Sequence, residues 1–365
     1  MRYLDTFIGK NYLRTMIATC VHAPHLGSTS AAASVATAAR AGFDLLQSMS
    51  NYSRAASAQS SHPPPCGPLC PGPVIDVQEN DLTAGPRTAS SAITRDGTRL
   101  VYELQPGTNG DSGLSVDGIA LVHSLAMDRF FWQPVVKRLA KAAPMLVYDC
   151  RGHGESDKPA GPYTVELFAR DLADLLDHVG WNSALVAGAS MGGCVTLAFA
   201  AACPARAAAL GLIDTTAWYG AEAPRQWAER SSRALTDGMS ALVEFQSTRW
   251  FSDAFRVQHP EIVKRCVEVF LRNEVPAYVE TCKMLGAADL RAALPAMTMP
   301  AAVVVGEEDY ATPVAMAEVL QRGIKDSTLT VLKGARHLTP LEAPGRIADE
   351  LSALMKRIKT RNATR

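Results

Sequence analysis

The sequence predicts an α/β protein with a mostly parallel central sheet, helices on both of its faces and a helical cap inserted late in the chain. Three observations predict this. Strand-like apolar runs alternate with helical patterns, which implies parallel strands joined by crossover helices. The helical stretches carry apolar stripes at spacings of three and four. From about Ala217 to Ala293, by contrast, helical patterns follow one another without a convincing strand, and nine aromatic residues between Trp218 and Tyr278 punctuate them.

Taken in order, residues 1–88 are rich in Ala, Ser, Pro and Gly without sustained periodicity, and read as a mostly disordered extension. Residues 11–26 offer too short and too interrupted an apolar run for a secretory signal. The strand-like runs then begin: "LVYELQ", "GIALVHSLA", "PMLVYDC", "SALVAGAS", "AALGLIDT", "AAVVVGEED" and "TLTVLKGARH". Between them, Thr164–Gly180 keeps Val165, Phe168, Leu172, Leu175, Leu176 and Val179 on one stripe. Val314–Ile324 and Arg346–Ile358 are patterned in the same way. The expected organisation is a core of residues 89–216 and 294–358, interrupted by a cap of residues 217–293.

Composition narrows the function class. The chain has 36 basic and 36 acidic residues, so it carries no electrostatic footprint for nucleic acid or an anionic membrane surface. Small-molecule partners are expected, a homo-oligomer is left open, and the cytoplasm is the expected location. The eight cysteines are scattered, which reads as reduced structural thiols. Cys66 and Cys70 in "PPPCGPLCPGP" have only His62 nearby, short of the four ligands a zinc site needs, so no metal and no cofactor is expected. The stretch from Val179 to Ala205 has no charged residue and is long enough to suggest a membrane helix, but its glycines argue for strand, turn and helix.

That turn carries chemistry. Gly188-Ala189-Ser190-Met191-Gly192 fits the G-x-S-x-G nucleophile elbow, where glycines two residues either side let strand and helix approach around an outward-facing serine. A serine hydroxyl is a poor nucleophile alone, so it needs a base, and the base needs a group that fixes its tautomer. Asp309 follows one late strand and His337 the next, giving the order Ser, Asp, His at the C-terminal ends of strands, where catalytic groups of parallel sheets gather. Asp214, in "GLIDT", is the reserve acid. A tetrahedral oxyanion needs donors worth roughly 3–4 kcal/mol each. The backbone amides of Met191 and Leu125 are the candidates, with His123 ordering the Leu125 loop. Asp149 and Arg151 are expected to pair and brace the loop "YDCRGHGES".

With "YDCRGHGES", "GASMGG", "GEEDYATP" and "GARHLTPLE" in that order, residues 90–352 resemble the α/β-hydrolase superfamily. "RWF" (249–251), "PAYVETCKMLGAADLR" (276–291) and the D-x-x-T-P beginning at Asp309 are similar to the 3-oxoadipate enol-lactonases. The resemblance implies hydrolysis of an enol-lactone in aromatic catabolism, through an acyl-enzyme on Ser190. The chain departs from that family at Ser124-Leu125-Ala126, where Ser-Leu-Gly is usual, which bears on substrate identity. A lactone bearing a carboxylate calls for a cation beside an aromatic wall, and Arg249 and Trp250 are the best-placed pair. A broad carboxylesterase, a carbon-carbon bond hydrolase of ring-cleavage products, and a binding protein on the same fold are the competing readings.

Overall fold

The computed structural model describes residues 89–107 and 116–363; the expected N-terminal extension, with Cys66 and Cys70, lies outside them. Eight strands form one sheet in the spatial order β1-β2-β4-β3-β5-β6-β7-β8. They are β1 (Ser90–Ile93), β2 (Arg99–Gln105), β3 (Gly118–Val122), β4 (Met145–Tyr148), β5 (Ala184–Ala189), β6 (Ala207–Ile213), β7 (Ala301–Gly306) and β8 (Ser327–Leu332). β2 runs antiparallel to β1 and β4, and every other pairing is parallel. Every residue of β3, β4, β5 and β7 is buried, which explains why these strands read as continuous apolar runs. The edge strands β1 and β8 have mostly solvent-accessible residues.

Three helices cross between the strands of the first half: α1 (Gln133–Leu139), α2 (Val165–His178) and α3 (Met191–Ala202). α2 begins where the Thr164 hydroxyl accepts a hydrogen bond from the Leu167 amide at 3.1 Å, and the chain leaves it through Gly180 at φ +74°. α3 is buried on every face from Met191 to Ala200, as an apolar helix under a sheet must be. The uncharged stretch 179–205 is thus a strand, a turn and a helix. Among the described residues no helix is long and apolar enough to cross a membrane. Nor do any three His, Cys, Asp or Glu side chains there group as metal ligands.

Between β6 and β7 the chain makes five successive α-helices: α4 (Ala223–Asp237), α5 (Val243–Trp250), α6 (Asp253–Gln258), α7 (Pro260–Leu271) and α8 (Val275–Ala287). The pairing of Trp218 with Asp289 at the base of this segment is an isolated bridge. Trp250, Phe251, Phe255, Phe270 and Tyr278 are buried within it, with Trp250 edge-on to Phe270 at 5.5 Å between ring centres. After β7 come α9 (Val314–Gly323), the short α10 (Thr339–Glu342) and α11 (Pro344–Ala363).

The loop after β4 corrects one expectation, because Asp149 and Arg151 do not pair. Asp149 accepts from the Arg129 guanidinium at 2.6 Å and from the Arg129 and Glu155 amides. Arg151 instead reaches Asp171 on α2 and Asp96 in the β1–β2 turn. The cause is the turn itself. Gly152, at φ +78°, sends the chain back, and Gly154 packs so closely that a Cβ there would lie 2.3 Å from an Asp149 carboxylate oxygen. The loop therefore braces two different neighbours.

Candidate active site

The elbow forms because its glycines are the residues that fit. A Cβ on Gly188 would lie 2.0 Å from the Gly192 carbonyl oxygen, and one on Gly192 would lie 2.2 Å from that of Val122. Ser190 itself sits at φ +54°, ψ −114°, a strained conformation held from three sides. Its amide donates to the Ile213 carbonyl at 2.9 Å, its carbonyl accepts from the Thr215 hydroxyl at 2.7 Å, and α3 starts at the next residue. The hydroxyl is left facing the ends of β7 and β8.

The structure brings Ser190, His337 and Asp309 together. The Ser190 hydroxyl lies 2.9 Å from His337 Nε2, and His337 Nδ1 lies 2.8 Å from Asp309 Oδ2. Asp309 also accepts from the amides of Ala311 and Thr312 at 2.7 and 2.9 Å and from the Thr312 hydroxyl at 2.8 Å. Burial alone would raise the pKa of this carboxyl. The imidazole and these donors outweigh it and hold Asp309 below its ordinary value. A charged Asp309 keeps the proton of His337 on Nδ1, which leaves Nε2 to accept the serine proton.

Asp214 is a near neighbour with the opposite electrostatics. It accepts from the Gly306 and Thr339 amides and the Thr339 hydroxyl, and it does not touch His337. Burial and the charge of Asp309 push its pKa well above the usual carboxylate range. Of the two carboxyls only Asp309 bonds His337, while Asp214 clamps the end of β7 to the start of α10.

Leu125 follows β3 and faces the same cavity as Ser190. His123 fixes this loop from below, since its Nε2 accepts from the Cys150 amide at 3.0 Å and its Nδ1 donates to the Ser124 carbonyl at 2.8 Å. Full burial drives its pKa down to about 4, so the ring is neutral. Met191 begins α3, where the first amides have no carbonyl one turn back. Of the first four, those of Gly193 and Cys194 turn to the Ser190 carbonyl.

The cavity above Ser190 measures about 510 Å³, and Tyr219, Arg230, Arg249 and Trp250 of the inserted segment line it. Arg249 lies with its guanidinium 4.7 Å from the Phe245 ring centre and donates to the Tyr310 carbonyl. Trp250 has a double position. Its ring is buried at the cavity wall, and its carbonyl accepts from the amides of both His337 and Leu338, at 3.1 and 3.0 Å.

Arg230 was missed in the sequence because a lone arginine on an amphipathic helix has no signature that separates it from a solvated one. It donates through Nε to the Tyr278 hydroxyl at 2.6 Å and lies 4.8 Å from the Trp227 ring centre. Neither Arg230 nor Arg249 has a carboxylate partner among the described residues. Burial, and then the nearby Arg230 charge, pull the pKa of Arg249 below its ordinary value. Two like charges thus line one cavity, and among the described residues neither is paired with a carboxylate.

A parallel sheet with a strained serine elbow and a histidine–carboxylate relay at its strand ends defines a serine hydrolase architecture. The chain matches the alpha/beta hydrolase family over residues 119–350 and belongs to it. It is 32% identical to 3-oxoadipate enol-lactonase 2 of Acinetobacter baylyi over 235 residues, which span 64% of this chain and 87% of the relative. Among solved structures it is similar to the enol-lactonase of Burkholderia xenovorans LB400, with 31% identity and a TM-score of 0.69 over 73% of this chain and all of the other. A thermophilic esterase of Thermogutta terrifontis, solved with malate bound, is 28% identical with a TM-score of 0.68, over 75% of this chain and all of the esterase. The protein is an enzyme of the hydrolase class, enol-lactonase-like in its relatives.

Proposed function

We propose that the protein hydrolyses a lactone or ester bearing a carboxylate, 3-oxoadipate enol-lactone being the first candidate. Ser190, His337 and Asp309 are its catalytic residues, and residues 217–293 are a cap that recognises the substrate. One observation carries the reading: the hydrogen-bonded serine and histidine open into a cavity where Arg230 and Arg249 have no carboxylate partner among the described residues. A carboxylate is the ligand that two converging guanidinium groups are short of. The enol-lactonase relatives and the malate-bound esterase support this choice of substrate class.

The cycle follows from the atoms present. Ser190 Oγ attacks the lactone carbonyl carbon while His337 Nε2 takes its proton. The amides of Leu125 and Met191 meet the oxyanion of the tetrahedral intermediate. Collapse breaks the ring carbon–oxygen bond, and the departing enol oxygen takes the proton back from His337. The enol, still tethered through the acyl chain, becomes the ketone. Water, deprotonated by His337, then attacks the acyl carbon, and Ser190 Oγ leaves as it takes that proton back from His337 Nε2. Asp309 stays ionised throughout and stabilises the imidazolium. The five cysteines in the described residues are free thiols, which favours a reducing, cytoplasmic setting.

The test is steady-state hydrolysis of 3-oxoadipate enol-lactone and of p-nitrophenyl butyrate by the purified protein and by Ser190→Ala. A higher kcat/KM on the lactone that is lost in the variant supports the enol-lactonase reading. Serine-dependent turnover of the ester alone points to a broad carboxylesterase. Absence of serine-dependent turnover of both removes the ester and lactone reading and leaves carbon-carbon hydrolysis or a binding role.

A further inference from the structure

Ala126 closes the loop that carries Leu125, and its backbone sits at φ +58°, in the left-handed region that L-residues with a Cβ seldom adopt. Only three non-glycine residues in the described chain have positive φ; the other two are Ser190 and Asp214, both at the strand ends that hold the site. Ala126 is fully buried, so solvent does not relax it. Something must hold the loop in this conformation.

The holding group comes from the cap. Asn273, just past the C-terminus of α7, donates from Nδ2 to the Ala126 carbonyl at 2.9 Å. The same nitrogen lies 3.0 and 3.1 Å from the carbonyls of Val269 and Phe270 on α7. All three neighbours are acceptors, so the amide nitrogen must face them and the side-chain orientation is unambiguous. The adjacent Arg272 lies 3.4 Å from Asp128 two residues beyond Ala126, a second but solvent-screened contact. His123 and the Met127 amide both bond the Ser124 carbonyl, which fixes the other side of the loop.

We propose that Asn273 is a positioning residue for catalysis: it ties the cap to the Ala126 carbonyl, keeps the alanine left-handed and so aims the Leu125 amide at the oxyanion. The inference rests on the proposed role of Leu125. The Leu125 N–H lies in one peptide plane with the Ser124 carbonyl, which the Met127 amide holds in a turn closed by the left-handed Ala126. Opening that turn at Ala126 frees the plane to rotate, and a donor misdirected by a fraction of a bond length loses much of its effect on a transition state. The tie also couples the cap to the acyl-transfer site, through a side chain on a backbone carbonyl and separately from the arginines that read the substrate.

The experiment compares Asn273→Ala, Ala126→Gly and the double variant with the wild type, using p-nitrophenyl butyrate and a butyl boronic acid as tetrahedral mimic. Asn273→Ala should lower kcat about ten-fold with KM changed less than two-fold, and weaken the boronic acid by a similar factor. Ala126→Gly in the Asn273→Ala background should restore most of kcat, because glycine adopts the left-handed conformation without a tie. A general loosening of the cap would not be repaired by that glycine. Wild-type kcat in Asn273→Ala, or a loss that Ala126→Gly fails to restore, overturns the proposal. The amide resonance of Leu125 in the wild type is followed as the boronic acid binds. A downfield shift keeps the underlying reading of Leu125; no shift removes that reading and the Asn273 proposal with it.

Discussion

The strand ends and the helical segment between β6 and β7 treat their charged groups in opposite ways. At the sheet edge, Asp309 receives four hydrogen bonds, Asp214 receives three and His337 has a partner on each ring nitrogen. In the cavity wall that this segment supplies, Arg230 has one phenol and Arg249 one backbone carbonyl, and each rests on an aromatic ring. Saturation holds groups that must keep one geometry through a reaction, whereas a shortfall of partners leaves room for a ligand. The two regions meet at backbone carbonyls: that of Trp250 accepts from the His337 and Leu338 amides, and that of Ala126 from the Asn273 side chain.

The largest effect expected from breaking the saturated side is at Ser190. Ser190→Ala should lower kcat on the order of 10⁶-fold if the three residues act as a unit. Asp309→Asn should cost about 10⁴ in kcat at pH 7, because the amide favours the wrong imidazole tautomer. Asp214→Asn sharpens the comparison. Burial and the charge of Asp309 favour the neutral form of Asp214, so an amide is a close substitute that loses one accepted hydrogen bond. The expected result is a loss of stability of about 1 kcal/mol by thermal denaturation, with kcat reduced less than ten-fold. A 10⁴-fold loss in Asp214→Asn would reverse the roles of the two carboxyls.

Effects on the unsaturated side should fall on KM. Arg230→Ala and Arg249→Ala are each expected to raise KM for a carboxylate-bearing lactone about 10- to 100-fold, the range for a hydrogen bond to a charged group. KM for a neutral ester should change less than three-fold. The smallest effect is spectroscopic. With a pKa pushed down to about 4 by burial, His123 should keep the Nδ1–H neutral form, and its ring ¹⁵N shifts should not move between pH 8 and pH 5.5. Its neutral form is favoured in the fold and its charged form in the unfolded chain below the ordinary histidine pKa. This group alone therefore withdraws stability as pH falls from about 6.5 to about 4, by about 1.4 kcal/mol per pH unit.

Much of the saturated side was legible in the sequence. Buried parallel strands announce themselves as apolar runs, and the chain order of Ser190, Asp309 and His337 with the glycines around the serine needs no tertiary knowledge. β1 escaped because a short edge strand, with a single buried residue, has no pattern to read. Asp149 and Arg151 misled because proximity in sequence says little at a sharp turn. Once Gly152 reverses the chain, their partners come from Arg129 and Asp171 instead. Arg230 and Asn273 were invisible for a shared reason. Each matters through what it meets in space, and a polar residue on a helix or at its end looks the same whether it faces water or a cavity. The segment 217–293 could be seen as helical and inserted, but which of its polar side chains turn inward is decided by the packing of α4 on α8 and of α5 on the loop before His337.

The most direct test of this division is the ratio of kcat/KM for 3-oxoadipate enol-lactone to that for p-nitrophenyl butyrate, measured in the wild type and in the Arg230→Ala Arg249→Ala double variant. The account predicts that the double variant keeps its ester activity within a few-fold while the ratio falls at least 100-fold, through KM on the lactone. Equal losses on both substrates, or an unchanged ratio, would contradict it and make the two arginines part of the scaffold.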